Sequence, residues 1–319
     1  MSKVLNWGIV STGRIAQQFV SDMRVVKNSR VLGVAARNGE HAQTFATEYN
    51  IDRYYAGYQA MFDDPDIDIV YIGTPHTAHF QQCYDAMCAG KHVLCEKPLV
   101  VSPQQSLALF ELAQQKQVYF MEAMWTYFLP AIKQAKAWVD EGRIGQIKHV
   151  KAEFGYPLPY DPNRREYDNS LAGGCLLEMG IYPLAIASFF LGESVQNWHV
   201  DAQLAENGVE DDVIMLGTFG TAKATLATSF QCKLNNYAYI IGDKGYIALH
   251  DFWRAQECKL FVLEEEVDCF VDDRQSLGFE FEAHAVTNDV LAGKLQSSIM
   301  SHQRSLWLQE QMQAIKSLF

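Results

Sequence analysis

From residue 4 to residue 124, short runs that are apolar throughout alternate with stretches whose apolar positions recur every three or four residues. The runs predict strands over 4–11, 30–37, 69–75, 92–98 and 118–124, and the periodic stretches predict helices near 13–24, 39–49, 76–89 and 103–116. "VLGVAA" and "IVYIG" carry no polar face, as strands do when helices cover both sides of a sheet. This alternation predicts an α/β, Rossmann-type doubly wound parallel sheet.

The rhythm changes after a helix near 130–141. "IGQIKHVKAEFGY" reads as a strand and 174–191 as an apolar helix. Long strands then follow with few helices between them: "DDVIMLGTFG", "AKATLATSFQC", "YAYIIGDKGYIALHD" and "KLFVLEEE". That pattern predicts an α+β domain with an open, mainly antiparallel sheet. A helix near 302–318 closes the chain. No repeat or low-complexity linker interrupts it, so the boundary is placed near 124, giving domains 1–124 and 125–319, with the last helix able to pack back on the first.

A length of 319 residues fits about two domains. The net charge of -12 argues against nucleic acid and anionic membrane surfaces, which attract basic patches. No uninterrupted run of ~18 apolar residues predicts a membrane span, and "MSKVLNWGIV" lacks the features of a signal peptide. Seven cysteines without a CxxC pair read as reduced thiols of a cytoplasmic protein. The nine histidines and the cysteines fall into no zinc-like spacing, so no metal is expected.

"NWGIVSTGRIAQQF", residues 6–19, joins the first strand to the first helix. A dinucleotide fingerprint G-x-G-x-x-G/A would place glycine where Ser11 stands, followed by Gly13 and Ala16. Gly13 permits close backbone approach to a pyrophosphate, the helix start offers unpaired N–H groups, and the Ser11 hydroxyl can donate to a phosphate oxygen. An ordinary strand-to-helix turn would look the same. The second strand ends in "AARNGE", where NAD-binding chains place a carboxylate for the ribose 2′-hydroxyl. Arg37 suits a 2′-phosphate instead, so NADP is expected, with NAD as the alternative. A plain surface arginine is the competing reading.

"GKHVLCEKPLVVS", residues 90–102, puts a charged pair before a proline at the C-terminal end of a parallel strand, where open α/β sheets bind ligands. Together with "WGIVSTGRIA", "VAAR", "YIGTPHTAHF", "FMEAMWTYFLP", "IGQIKHVKAEF" and "GGCLLEMGIYPL", it resembles the glucose–fructose oxidoreductase, inositol dehydrogenase and rhizopine-catabolism (Gfo/Idh/MocA) family over essentially the whole chain. Within that family it is most similar to the dihydrodiol dehydrogenase subgroup, which shares serine in the first glycine position and arginine after the second strand. The resemblance implies a cofactor site that includes Ser11, Thr12, Gly13, Arg14, Ile15, Arg37, Thr74, His76, His79, Glu96 and Lys97. It also implies a second domain for substrate binding and subunit pairing as a homodimer or larger homo-oligomer, Lys97 in the active site, and a cis Lys97–Pro98 bond.

In "GGCLLEMGIYPLAIASFFLG", Glu178 and Tyr182 interrupt an otherwise apolar helix one turn apart. A buried carboxylate needs a partner or a cavity, although a structural Glu–Tyr contact would also serve. Most relatives read Asp and His here and the subgroup reads Asp and Tyr, so Glu178 is a departure. The expected chemistry is hydride transfer with Tyr182 as the acid/base group, assisted by Lys97. Glu178 would orient Lys97 or bind a substrate hydroxyl; Lys97 is itself an alternative acid. Trp125, Tyr127, Phe128 and Phe154 are candidate walls of a sugar or diol pocket, with Trp125 and Phe154 assigned to substrate. Arg164, Arg165 and Tyr167 either recognise substrate or are solvated. The competing functions are an NAD-dependent glycoside hydrolase and a non-catalytic cofactor sensor.

Overall fold

Leu5–Val10 forms the first strand, β1, with every residue buried except the half-buried Asn6. The structure is a computed structural model and describes residues 3–319. Further strands are Ser29–Ala36 (β2), Arg53–Ala56 (β3), Ile69–Ile72 (β4), His92–Glu96 (β5) and Phe120–Ala123 (β6). Helices Arg14–Met23 (α1), Gly39–Tyr49 (α2), Gln59–Phe62 (α3), His76–Cys88 (α4) and Pro103–Lys116 (α5) lie between them. The sheet is parallel throughout, in the order β3-β2-β1-β4-β5-β6. Its order reverses between β1 and β4, the switch point beside which such sheets bind ligands. The apolar pattern does not mark β3, because an edge strand alternates half-buried and exposed residues.

The second sheet is built from Ile147–Gly155 (β7), Asn197–Leu204 (β8), Glu210–Phe219 (β9), Ala222–Ser229 (β10), Tyr237–Gly242 (β11), Tyr246–His250 (β12), Glu257–Val262 (β13) and Glu265–Val271 (β14). Its order is β14-β13-β12-β11-β7-β10-β9-β8, and only β7 and β10 pair in parallel. "YAYIIGDKGYIALHD" is a hairpin of two strands rather than one long strand. Alternation sorts each strand into two faces. Val150, Ala152, Ala238, Ile240 and Leu260 are buried, whereas Tyr237, Tyr239, Lys259 and Phe261 stand half-open on the other side. Helices Pro130–Asp140 (α6) and Ile181–Leu191 (α7) pack against this sheet. The segment Asn169–Leu191 is long and apolar enough, by composition, to cross a membrane, but 78% of its apolar window is buried inside the fold.

Two helices end the chain, Phe279–Leu291 (α8) and His302–Lys316 (α9). The chain divides into two units: residues up to Trp125 with Gln275–Gln309, and Thr126–Arg274 with Glu310–Phe319. The return to the first unit therefore starts before α8, earlier than the last helix where the pattern places it. Its anchors are specific. One Asp22 carboxylate oxygen, at the end of α1, accepts from the backbone N–H groups of Leu277, Gly278 and Phe279 at 2.9–3.0 Å. The Phe120 N–H on edge strand β6 donates to Leu295 O at 3.1 Å, and the Tyr119 hydroxyl donates to Asp289 at 3.2 Å.

Asp22→Ala removes the acceptor shared by three amides at the start of α8 and is expected to cost roughly 3 kcal/mol, with Asp22→Asn costing about half as much. Urea unfolding of the three proteins measures both differences. A loss below ~0.5 kcal/mol for the alanine variant would contradict the anchoring role.

Candidate active site

The turn after β1 uses serine in a glycine-like conformation. Ser11 has φ +139°, in the region that favours glycine. Its hydroxyl oxygen accepts from the Gly13 N–H at 3.0 Å and its own N–H donates to Ala35 O at 3.2 Å. The hydroxyl thus shapes the turn as well as offering a proton to a ligand. Helix α2 is capped by Asn38 and α5 by Ser102, but no side chain caps α1. Its first amides, from Arg14 and Ile15, are left for an anion. Thr12 is half-buried there, and Gly13 and Arg14 are exposed. Ile15 packs close to Gly73, where an added Cβ would lie 3.1 Å from Ile15 Cγ2. Arg37 is the first residue past β2, exposed and ion-paired to no carboxylate among the described residues. These groups fit a dinucleotide.

At the ends of β4 and β5, Thr74 Oγ1 donates to Gln82 Oε1 at 2.6 Å. His76 is buried at the start of α4. His79 is fully buried: Nε2 lies 2.8 Å from Thr74 O and Nδ1 3.1 Å from Pro98 O. Burial holds its pKa below the ordinary value. The ring therefore ties Thr74 to the 97–99 turn, and any influence on a ligand runs through those two segments. Glu96 accepts from the Tyr71 hydroxyl at 2.6 Å and from the Lys97 N–H at 3.3 Å. Burial raises the Glu96 pKa, against the opposing Lys97 charge and Tyr71 hydrogen bond. Lys97 is half-buried and precedes a cis peptide bond to Pro98.

Two more acids lie in this unit, neither suggested by the sequence patterns. Glu122 on β6 accepts from the Leu99 N–H at 2.8 Å, and burial pushes its pKa up to about 7 despite that bond, a Ser305 hydrogen bond and the Lys97 charge. Glu282 on α8 is fully buried, with both carboxyl oxygens lacking a hydrogen-bond partner among the described residues. Burial, and next the Glu96 charge, raise its pKa strongly. An acid within "FMEA" or "FEFEA" looks like ordinary polarity until packing places it. Trp125, 7% exposed, stacks on Phe279 with centroids 4.4 Å apart.

In the second unit the helix expected from 174 begins with a π turn, Leu176–Gly180, before α7. Four residues fall just short of one turn at that width, so Glu178 and Tyr182 remain on one side. Arg165 grips Glu178 with both guanidinium ends: Nη1 meets Oε1, and Nη2 lies 3.1 Å from Oε2. Tyr182 is largely buried, with its ring centroid 5.6 Å from that of Phe154, which stacks on Trp253 at 4.0 Å. Trp253 and Phe279 are aromatic neighbours that sequence spacing does not single out. Tyr127 and Phe128 are fully buried core residues, the Tyr127 hydroxyl donating to Ala185 O at 2.8 Å. Arg164 is exposed, while Tyr167 is buried and donates to Leu158 O at 2.8 Å.

Residues 5–124 match the oxidoreductase family with an NAD-binding Rossmann fold, and residues 132–248 match the C-terminal domain of the same Gfo/Idh/MocA group. A Danio rerio trans-1,2-dihydrobenzene-1,2-diol dehydrogenase is 34% identical, covering 97% of this chain and 95% of the relative. This chain belongs to the Gfo/Idh/MocA family. The Homo sapiens trans-1,2-dihydrobenzene-1,2-diol dehydrogenase is 31% identical over 98% of the chain and 96% of its own length. Aldose–aldose oxidoreductase from Caulobacter crescentus shares the fold with TM-score 0.90 at 22% identity, covering 99% of this chain and 97% of that one. A 3-ketoreductase from Actinomadura kijaniata, solved with NADP and TDP-benzene, does so with TM-score 0.88 at 24% identity, covering 99% and 98%. As a Gfo/Idh/MocA member the chain is an NAD(P)-dependent oxidoreductase.

The raised pKa of Glu122 has a consequence for stability. An acid whose folded pKa lies above its unfolded value near 4.5 favours folding below that value, and this contribution is lost as pH rises to about 7. The component is on the order of 3 kcal/mol. Glu122→Gln, which keeps an acceptor for the Leu99 amide, is expected to flatten this part of the stability profile. Denaturant unfolding of both proteins from about pH 5 to 8 measures it, and parallel profiles would rule it out.

Proposed function

We propose that this oxidoreductase transfers a hydride between NADP and a carbon bearing a hydroxyl or carbonyl group in a sugar or cyclic diol. Arg37 carries the cofactor half of the reading. It is exposed at the end of β2, where the adenosine ribose lies in dinucleotide folds, and nothing acidic claims it. A guanidinium there binds a 2′-phosphate, whereas a carboxylate would repel it. The uncapped start of α1, with Ser11, Thr12, Gly13, Arg14 and Ile15, takes the pyrophosphate. Thr74 and His76, backed by His79 and Glu96, border the nicotinamide end.

The nicotinamide supplies or accepts the hydride when bound. During oxidation the Tyr182 phenolate oxygen takes the hydroxyl proton and passes it to solvent; during reduction the phenol returns a proton to the carbonyl oxygen. The Lys97 ammonium favours negative charge on the substrate oxygen. Glu178, fixed by Arg165, receives a second substrate hydroxyl. Trp125 and Phe154 act as apolar walls. Aromatic walls and a charge-paired carboxylate suit a ring bearing neighbouring hydroxyls, and the names of the dihydrodiol and aldose-acting relatives support that class.

The open face of the second sheet is the proposed subunit contact of a cytoplasmic homodimer. It presents stacked pairs, Tyr237 on Tyr239 and Tyr246 on Phe261, around a depression of about 280 Å³.

Lys97→Met and Tyr182→Phe are each expected to lower kcat by ~100-fold or more with cofactor Kd held within a few-fold. Near-wild-type kcat in either variant, on whichever diol or aldose the protein turns over, would remove that residue from the acid/base centre. Release of reduced cofactor separates this reaction from glycoside cleavage without net reduction.

Cofactor choice gives an independent test. NADP is expected to bind at least ~10-fold tighter than NAD, since a charge-assisted hydrogen bond contributes roughly 1.5–3 kcal/mol. Arg37→Ala should erase most of that ratio by weakening NADP alone. Fluorescence titrations that give equal wild-type affinities, or equal losses for both cofactors, would sink the assignment.

A further inference from the structure

Arg165 lies in the loop between β7 and the π turn, on a short 3-10 turn, Arg165–Tyr167. Backbone bonds hold that loop against the start of the helix. The Gly174 N–H donates to Glu166 O and the Gly173 N–H to Asp168 O, both at 2.9 Å. Asn207 Nδ2 donates to Tyr167 O at 2.6 Å. Neither glycine has room for a side chain: a Cβ on Gly173 would lie 2.6 Å from Glu166 O, and one on Gly174 2.2 Å from Glu210 Oε1. The double glycine thus lets the Arg165 loop close onto the segment that carries Glu178.

The closed loop gives Arg165 a two-pronged hold on Glu178. The carboxylate side chain is 13% exposed and the guanidinium side chain 33% exposed. Burial works against the Arg165 charge, but hydrogen bonding and charge attraction from Glu178, with a smaller effect of Glu166, hold its pKa above the ordinary value. A fork-to-fork pair fixes the plane of a carboxylate as well as its charge.

We propose that Arg165 is a positioning residue that holds the Glu178 carboxylate oriented to accept a hydrogen bond from the hydroxyl next to the reacting carbon. The site then selects a vicinal diol or polyol over a simple alcohol. The substrate part rests on the oxidoreductase reading above; the Arg165–Glu178 coupling does not.

Both parts are tested with wild type, Arg165→Lys, Arg165→Met, Glu178→Gln and the double variant Arg165→Met/Glu178→Gln. The probes are trans-1,2-cyclohexanediol and cyclohexanol with NADP. Wild type should favour the diol at least ~10-fold in kcat/KM, and Arg165→Met and Glu178→Gln should each lose most of that preference with cofactor Kd within about twofold. The double variant should be no worse than either single one, since the two side chains act as a unit. Arg165→Lys, which keeps the charge without the fork, should retain part of the preference. Multiplied losses in the double variant, or an intact preference in Arg165→Met, would overturn the proposal. Independently of turnover, urea unfolding of wild type, Arg165→Met, Glu178→Gln and the double variant reports the coupling: Arg165→Met should cost less stability once Glu178→Gln is present, and equal costs in both backgrounds also overturn the coupling. If wild type turns over neither probe nor any diol or aldose while that coupling is found, the oxidoreductase substrate reading fails and the coupling stands.

Discussion

Every helix begins with backbone N–H groups that its own hydrogen-bond ladder cannot satisfy, and the ways this chain meets that constraint organise both units. Asn38 and Ser102 cap α2 and α5 locally. Asp22 satisfies α8 from another helix. In the second unit, buried Glu210 accepts from the Leu176 amide at the π turn and pairs with Lys316 at 3.3 Å. The first turn of α1 receives no side chain. Carboxylates or polar caps thus answer these other ends, whereas α4 and α6 share with α1 a start that no side chain caps.

Burial sets the character of the acids around Lys97. Glu96, Glu122 and Glu282 all lie in the first unit and are driven toward their neutral forms by desolvation. Neutral carboxyls near an ammonium neutralise less of its field than carboxylates would. Arg165 follows the other course, its charge favoured by two contacts with Glu178 despite burial. Burial therefore mutes the acids of one unit, whereas pairing sustains the cation at the candidate substrate site.

The legible parts of the sequence are those governed by local periodicity. Continuous apolar runs mark β1, β2, β4 and β5 because each is covered on both faces, and the strand-to-helix turn marks the phosphate cradle. Edge strands β3 and β8 leave little trace, since half-exposed residues carry a weak apolar signal. Helix α8 is not marked, because its buried face includes the polar Glu282 and Thr287. The π turn is invisible to a 3.6-residue period. Glu122 and Glu282 look like any acid in a mixed segment, since only three-dimensional packing strips them of solvent. Arg165 stands out without a role, because its partner lies thirteen residues on across a loop whose closure depends on two glycines. Ser11 is legible as the occupant of a glycine position, but its bond to the Gly13 amide cannot be read from residue type.

The split of the first unit across the chain has a consequence for the order of synthesis. By the time Trp125 has been made, the parallel sheet has all six strands, yet the amide of Phe120 on its edge and the carboxylate of Asp22 still lack Leu295 and the 277–279 turn. At ~5–20 residues per second, roughly 10–30 s of translation separates them from these partners. Through that interval the nascent sheet keeps an unpaired edge strand, a surface on which other chains can pair. The nucleotide-binding half is begun first and completed only after an interruption of 149 residues, 126–274, so its safe passage depends on that stretch being made without delay.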